Sequence, residues 1–169
     1  TVIIMSQVPA GTSRKIYNRL SKKIKDLCVV YNPENLRLSQ AIDTFLNADR
    51  QILGLSSESA KPRLEEFYAF YSKPLMFMSL ESAELVKHGV NGFLATSVSF
   101  INQLSDLSEA VGANIIDVVR GLKSDSRIGQ KAFLSPGLGF AGGTLGRDLR
   151  VLESLSKKHK VNLPLIHSV

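Results

Sequence analysis

The sequence predicts an α/β fold in two parts, a parallel sheet covered by helices and then an all-helical domain built on one long helix. Three observations predict it. Over residues 1–78, short apolar runs of strand length alternate with stretches of helical period, the pattern of a parallel sheet buried on both faces. From residue 79 onward the apolar positions repeat every 3.6 residues and no strand-like run returns. No glycine-rich turn follows the first apolar run, as it would if the sheet began here and held a pyrophosphate.

Residues 1–5, TVIIM, read as a buried strand. Residues 11–25 read as a helix with Ile16, Leu20 and Ile24 one turn apart, and 27–31, LCVVY, as a second strand, which completes a βαβ unit. Residues 51–55, QILGL, and 74–78, PLMFM, give two more strands around a helix over 60–71 that carries Leu64, Phe67 and Phe70. Together these are the C-terminal half of a Rossmann-like parallel sheet, the half with the glycine-rich loop lying outside the given sequence. Val86, Val90, Phe93, Ser97, Ile101, Leu104 and Leu107 then keep helical period along one helix, long enough to join two lobes or pack on a second subunit. Gly112 ends it. Asn114-x-x-Asp117 resembles a capping box that opens a helix over 115–122. A last long helix is expected over 146–159, and Pro164 suits the first turn of another. The architecture changes near Met78 without a low-complexity linker, which divides the chain into 1–78 and 79–169.

With 169 residues, 44% apolar and 21% charged, the chain can bury one good core or two small ones, which excludes disorder. It has no apolar run of about 18 residues and no signal-peptide pattern, so the expected location is the cytoplasm. The start at Thr1, inside a strand-like run, suggests a fragment of something longer. A lone Cys28 excludes an internal disulfide and a cysteine zinc cage, and His88, His159 and His167 lack metal-ligand spacing, so no metal is expected. The net charge of +6 favours an anionic partner. Its lysine clusters, 22–25 in one helix-like segment and 157–160 at the end of another, read as solvated helix faces. Nucleic-acid binding finds no reading motif and no exposed aromatics among the basic residues.

Residues 135–149, SPGLGFAGGTLGRDL, contain G-x-G-x-x-G at Gly137, Gly139 and Gly142. As a dinucleotide fingerprint it lacks its context, because KAFLSP before it is too short and polar for a central strand and no acidic residue follows Glu153. A glycine-rich connector between helices is the simpler reading. Elsewhere, Lys87 and Asn91 lie four apart on one face of the long helix, away from its apolar stripe. Alone, that pair reads as a solvated face.

Several such islands occur in order: S-Q-V-P-x-G-T at 6–12, N-P-E-x-L at 32–36, A-E-L-x-K-x-x-x-N-x-F-L-A at 83–95, R-I-G-x-K at 127–131, and P-G-x-G-F at 136–140 running to R-D-L at 147–149. In this order and at similar gaps they resemble the UDP-glucose/GDP-mannose dehydrogenase family over nearly the whole chain. The resemblance implies an enzyme that oxidises the 6-hydroxymethyl group of a nucleotide sugar to a carboxylate with two molecules of NAD, or NADP. Residues 1–78 would then be part of the NAD-binding domain, and 79–169 the helical central domain through which the family forms its homodimer. The opening glycines would belong to a loop that wraps the sugar and carries the family's nucleophilic cysteine.

The resemblance also implies a site. Lys87 would stabilise the developing alkoxide or act as base, Asn91 would donate a hydrogen bond to it, and Asp148 would orient a water or Lys87. Glu34, Arg127, Gly137, Gly139, Phe140 and Gly142 would face the sugar, with Arg127 reaching the partner's substrate; read alone, Arg127 is equally a cation after a helix C-terminus. Ser6, Gln7 and Pro9 would face the cofactor. Three positions depart from the family pattern. Thr144 stands where the cysteine belongs, Gln7 where a threonine touches the reacting water, and Leu38 where a second glutamate serves thioester hydrolysis. A threonine hydroxyl needs a strong adjacent base to attack an aldehyde, whereas a thiolate does not. All three losses fall on the aldehyde-to-acid half of the reaction, while Lys87, Asn91 and Asp148 remain. The expected function is a nucleotide-sugar dehydrogenase impaired in that half; the alternative is an inactive paralogue retained for dimerisation or regulation.

Overall fold

A computed structural model describes residues 1–33, 39–140 and 143–169. The elements run β1 (Val2–Ile4), α1 (Thr12–Leu20), β2 (Val29–Tyr31), α2 (Ala41–Leu46), β3 (Gln51–Leu55), a 3-10 turn (Glu58–Ala60), α3 (Lys61–Phe67), β4 (Leu75–Ser79), α4 (Leu80–Val111), α5 (Ile115–Ser124), α6 (Gly143–His159) and α7 (Pro164–His167). They divide into two compact units, residues 1–87 and 88–169, with the boundary in sequence falling within α4. No helix among the described residues is long and apolar enough to cross a membrane.

In the first unit the four strands lie in the order β1-β2-β3-β4. β1 and β2 are parallel, Val2 opposite Val29, and so are β3 and β4, Gln51 opposite Leu75. β2 and β3 are antiparallel, Val30 opposite Leu55. The α/β class stands, but the sheet is not parallel throughout. A parallel pair needs a crossover of a dozen residues or more, usually a full helix, and the helix before β3 is only the six residues of α2, absent from the sequence expectation. Apolar runs report burial, not direction.

The side-chain alternation of the central strands divides the core between the two faces. Val29, Tyr31 and Ile52 pack with Leu27, Leu80 and Ala83, and with Tyr17 and Leu20 of α1. Val30, Leu53 and Leu55 pack with Ala60, Leu64, Tyr68 and Tyr71. Gly54 lets α4 cross β3, since a Cβ there would lie 2.7 Å from the Ala83 Cβ and 3.0 Å from the Leu80 Cα. Within this core the Asn32 amide donates to Gln51 Oε1 and to the Ile52 carbonyl, and its oxygen accepts from the Tyr68 hydroxyl.

Two helices are shorter than their sequence period suggests. α1 stops at Leu20, and Lys22, Lys23 and Lys25 fall in the turns after it, where Asp26 at φ 55° reverses the chain and leaves Ile24 exposed. α3 stops at Phe67, so beyond it the helical period no longer decides which side chains turn inward. Tyr68 and Tyr71 are buried, and Phe67 and Phe70, expected on the apolar stripe, are exposed.

α4 begins where the Ser79 hydroxyl accepts from the Ser82 amide and runs 32 residues, about 48 Å, to Gly112 at φ +75°. In the second unit the Asn114 side chain caps α5 by accepting from the Ile116 amide. α6 starts at Gly143, earlier than the expected 146, and Pro164 opens α7. Gly92 of α4 admits α6 and α7: a Cβ there would meet Leu152 Cδ1 at 3.1 Å and Ile166 Cδ1 at 3.8 Å.

Candidate active site

Asp148, in the second turn of α6, is fully buried. Its Oδ2 accepts from the Asn91 carboxamide, and its Oδ1 lies 2.9 Å from Nδ1 of His88, which is equally buried. His88 and Asn91 stand three residues apart on α4 and so are neighbours on its surface. One helix thus supplies both partners of a carboxylate on another, and two of the expected catalytic residues, Asn91 and Asp148, are in contact. Lys87, half-buried, precedes His88 on the same helix, one turn before Asn91.

The glycine loop is pinned to α4 as well. Asn102 Oδ1 accepts from the Gly137 amide at 2.9 Å, and Gly139, at φ +87°, passes 3.8 Å from Asn102 Nδ2. Eleven residues at 100° each return close to the same helix face, so Asn91 and Asn102 point to one side. Phe140 is half-buried, and Thr144 is exposed in the first turn of α6. Glu34 and Gly142 lie outside the described residues, as do Leu38 and Ala141.

Arg127 is held locally. Its Nε and an Nη donate to the two Asp125 oxygens at 3.0 and 2.7 Å, and its backbone amide donates to the same carboxylate. That fork holds the Asp125 carboxyl below its ordinary range and raises Arg127. The guanidinium stays on the surface, its side chain 87% exposed.

In the first unit, Ser6, Gln7 and Pro9 form the loop that leaves the carboxyl end of β1, with Ser6 and Pro9 exposed. A buried carboxylate anchors its far end: Glu84 of α4 accepts from the Gly11 amide through Oε2 at 2.5 Å and from the Ser13 amide through Oε1 at 2.7 Å. Gly11 turns its N–H toward Glu84 at φ +90°. The orphan donors and positive dipole end of α1 are thus met by a side chain of the chain itself. Arg14 adds a forked ion pair to Glu81 at 2.8 Å, which holds the Glu81 carboxyl below its ordinary range.

Residues 81–169 match the model of the UDP-glucose/GDP-mannose dehydrogenase family, central domain. The chain belongs to that family. Residues 1–72 match the family's NAD binding domain. The chain is 37% identical to the UDP-glucose 6-dehydrogenase TuaD of Bacillus subtilis over 99% of its own length and 37% of that protein. It is 36% identical to the UDP-glucose 6-dehydrogenase of Rickettsia prowazekii, over 99% of its length and 39% of the relative. It therefore spans about two fifths of the length of the curated relatives it matches. Among solved structures, a UDP-glucose dehydrogenase from Pyrobaculum islandicum superposes with a TM-score of 0.88 at 29% identity, covering 98% of this chain and 39% of that one. A UDP-D-ManNAc dehydrogenase from Pyrococcus horikoshii superposes at 0.82 and 25% identity, with the same coverage.

Three residues that make these contacts carry no sequence signal that marks them as part of a site. His88 reads as a core or surface histidine until α6 brings Asp148 to it. Asn102 sits in a helical run with nothing to mark it except its helical phase with Asn91. Glu84 lies inside the A-E-L-x-K island, but its amide partners are more than 70 residues away in sequence.

Proposed function

We propose that the protein is a cytoplasmic, NAD-dependent oxidoreductase that takes a nucleotide-sugar alcohol to the aldehyde and is impaired in the aldehyde-to-acid step. The observation that carries this reading is the buried Asp148 bonded to Asn91, with Lys87 one turn before Asn91 on the same helix, set against an exposed Thr144 where a thiol would be needed. Removing hydride from a carbinol carbon requires that the hydroxyl proton leave and the developing alkoxide be stabilised. Lys87 supplies charge as an ammonium or, as the neutral amine, accepts that proton, and a carboxamide supplies a directed N–H. One amide hydrogen of Asn91 is committed to Asp148, which leaves the other for the sugar oxygen.

NAD, when bound, accepts the hydride. Parallel strands bind nucleotides outside their carboxyl ends, and Ser6, Gln7 and Pro9 sit at that end of β1, so the residues present fit one flank of a nicotinamide cofactor. Its phosphates belong elsewhere than the N-terminus of α1, whose amides Glu84 occupies. Gly137, Gly139 and Phe140 would face the sugar, with Glu34, Gly142 and Arg127 added by the resemblance. A homodimer through the helical domain suits α4, which exposes Phe93, Phe100 and Leu107, each one heptad from the next.

The full-length protein, given a panel of nucleotide sugars and NAD, is expected to form one NADH per sugar and release an aldehyde that hydroxylamine traps. Two NADH per sugar and a uronic acid would overturn the impaired-step reading. No turnover with any sugar from an intact dimer would instead establish the inactive paralogue, which the missing thiol at Thr144 favours.

A further inference from the structure

The His88–Asp148 pair is a buried contact that the proposed chemistry does not itself require. Burying an imidazole against a carboxylate costs desolvation that an apolar side chain would avoid, so the pair calls for a role. The geometry supplies one. A carboxylate bonded through one oxygen can turn about its terminal torsion, whereas Asp148 is held through both, Oδ1 by His88 and Oδ2 by Asn91. With Asp148 accepting on each side, Nδ1 of His88 carries its hydrogen, and the nitrogen of the Asn91 amide must face Asp148. The second N–H of Asn91 then has one direction. Leu152 of α6 sits close over Gly92, beside Asn91, where an added Cβ would meet its Cδ1 at 3.1 Å.

We propose that His88 is a positioning residue: its Nδ1–H fixes the plane of the Asp148 carboxylate and, through it, the direction of the substrate-facing N–H of Asn91. This rests on the reading of Asn91 and Asp148 as alcohol-binding groups. His88 acts here through its contact with Asp148.

The test compares His88→Leu with His88→Asn in the full-length protein. Asparagine is smaller than histidine and polar, but it places an N–H near the Nδ1 position; leucine fills the volume and donates nothing. His88→Leu is expected to lower kcat by about 10- to 100-fold with KM within about threefold, as misdirection of a binding group does. His88→Asn is expected to recover most of that loss. A residue that merely fills space would give the opposite order. Wild-type kcat in His88→Leu, or no recovery in His88→Asn, overturns the proposal. A second readout does not need turnover. In protein labelled at asparagine side chains, Asn91 should show two well-separated, slowly exchanging amide protons in the wild type and in His88→Asn, and averaged, fast-exchanging ones in His88→Leu. Unchanged Asn91 signals in His88→Leu overturn the positioning role even if every sugar proves inert. An inert wild type that shows the expected Asn91 pattern fails the oxidoreductase reading and keeps the positioning role.

Discussion

Replacing Glu84 tests the anchoring of the loop that leaves β1. Glu84 is fully buried, and its two oxygens accept from the Gly11 and Ser13 amides. Hydrogen bonds to a charged group contribute about 1.5–3 kcal/mol each, and a buried donor left without its acceptor costs about 1–3 kcal/mol. Glu84→Gln keeps the shape but turns one acceptor into an NH2 that faces an N–H, so one bond is lost and one donor stranded, at a cost of about 2–4 kcal/mol. Glu84→Ala removes both acceptors but opens space that water can enter, and a cost of about 3–5 kcal/mol is expected. The assay is amide hydrogen exchange at Ser13 together with urea unfolding. Since every 1.4 kcal/mol is a factor of ten, Glu84→Gln should speed Ser13 exchange by about 30- to 1,000-fold. The control is Glu81→Gln, which breaks only a half-exposed pair with Arg14, at side-chain exposures of 44% and 35%, and should change stability by less than about 1 kcal/mol. If Ser13 exchanges as slowly in Glu84→Gln as in the wild type, the carboxylate does not hold this helix end and the reasoning fails.

Further outcomes follow for three substitutions. Gly54→Ala would push a Cβ to 2.7 Å from the Ala83 Cβ and 3.0 Å from the Leu80 Cα, so it should lower unfolding free energy by about 1–3 kcal/mol or more in urea. Gly121→Ala, in α5 with nothing within 4 Å, should raise it by about 0.5–1 kcal/mol; equal effects would remove the close-approach argument. Glu81 has its carboxyl held down chiefly by the Arg14 bond, and a group depressed in the folded state contributes stability that is present above its unfolded value and lost as pH falls through its folded one. The stability gap between wild type and Arg14→Met should therefore be under about 1 kcal/mol near neutrality and close on acidification below the ordinary glutamate range. A gap that persists at the acid end would mean that Arg14 acts by packing.

The strands were legible because burial on both faces forces continuous apolar runs: the QILGL run coincides with β3, and β1, β2 and β4 lie within or one residue from their runs. What periodicity does not carry is direction and pairing, so the antiparallel step from β2 to β3 was invisible. It also fails just past a helix end. Tyr68 turns inward because its hydroxyl reaches Asn32, a partner that no local pattern announces, and Phe67 is left outside. The same limit applies at the site. Lys87 and Asn91 could be placed on one helix face by counting, but Asp148 is 57 residues from Asn91 and 60 from His88, and only the packing of α6 on α4 brings it there. His88 had no sequence signal at all, since a histidine in a helix is uninformative until its partner is known.

The distribution of these residues bears on how, on the proposed reading, a chain could lose half a reaction. At 100° per residue, Glu84, Lys87, His88 and Asn91 fall within about a 100° arc of α4, so one helix face carries a loop anchor, a cation, a positioning donor and a carboxamide. Changing Glu84, His88 or Asn91 disturbs a buried or half-buried group with a fixed partner. Thr144 is different in kind: it is exposed, it opens a helix, and no hydrogen bond of the His88–Asp148–Asn91 set passes through it. On the proposed reading, the alcohol step is built into the packing of α4 and α6, whereas the thiol step hangs on one exposed side chain in a helix's first turn. On that reading, threonine in place of cysteine at position 144 removes chemistry without removing structure, and that asymmetry would let the first half persist without the second.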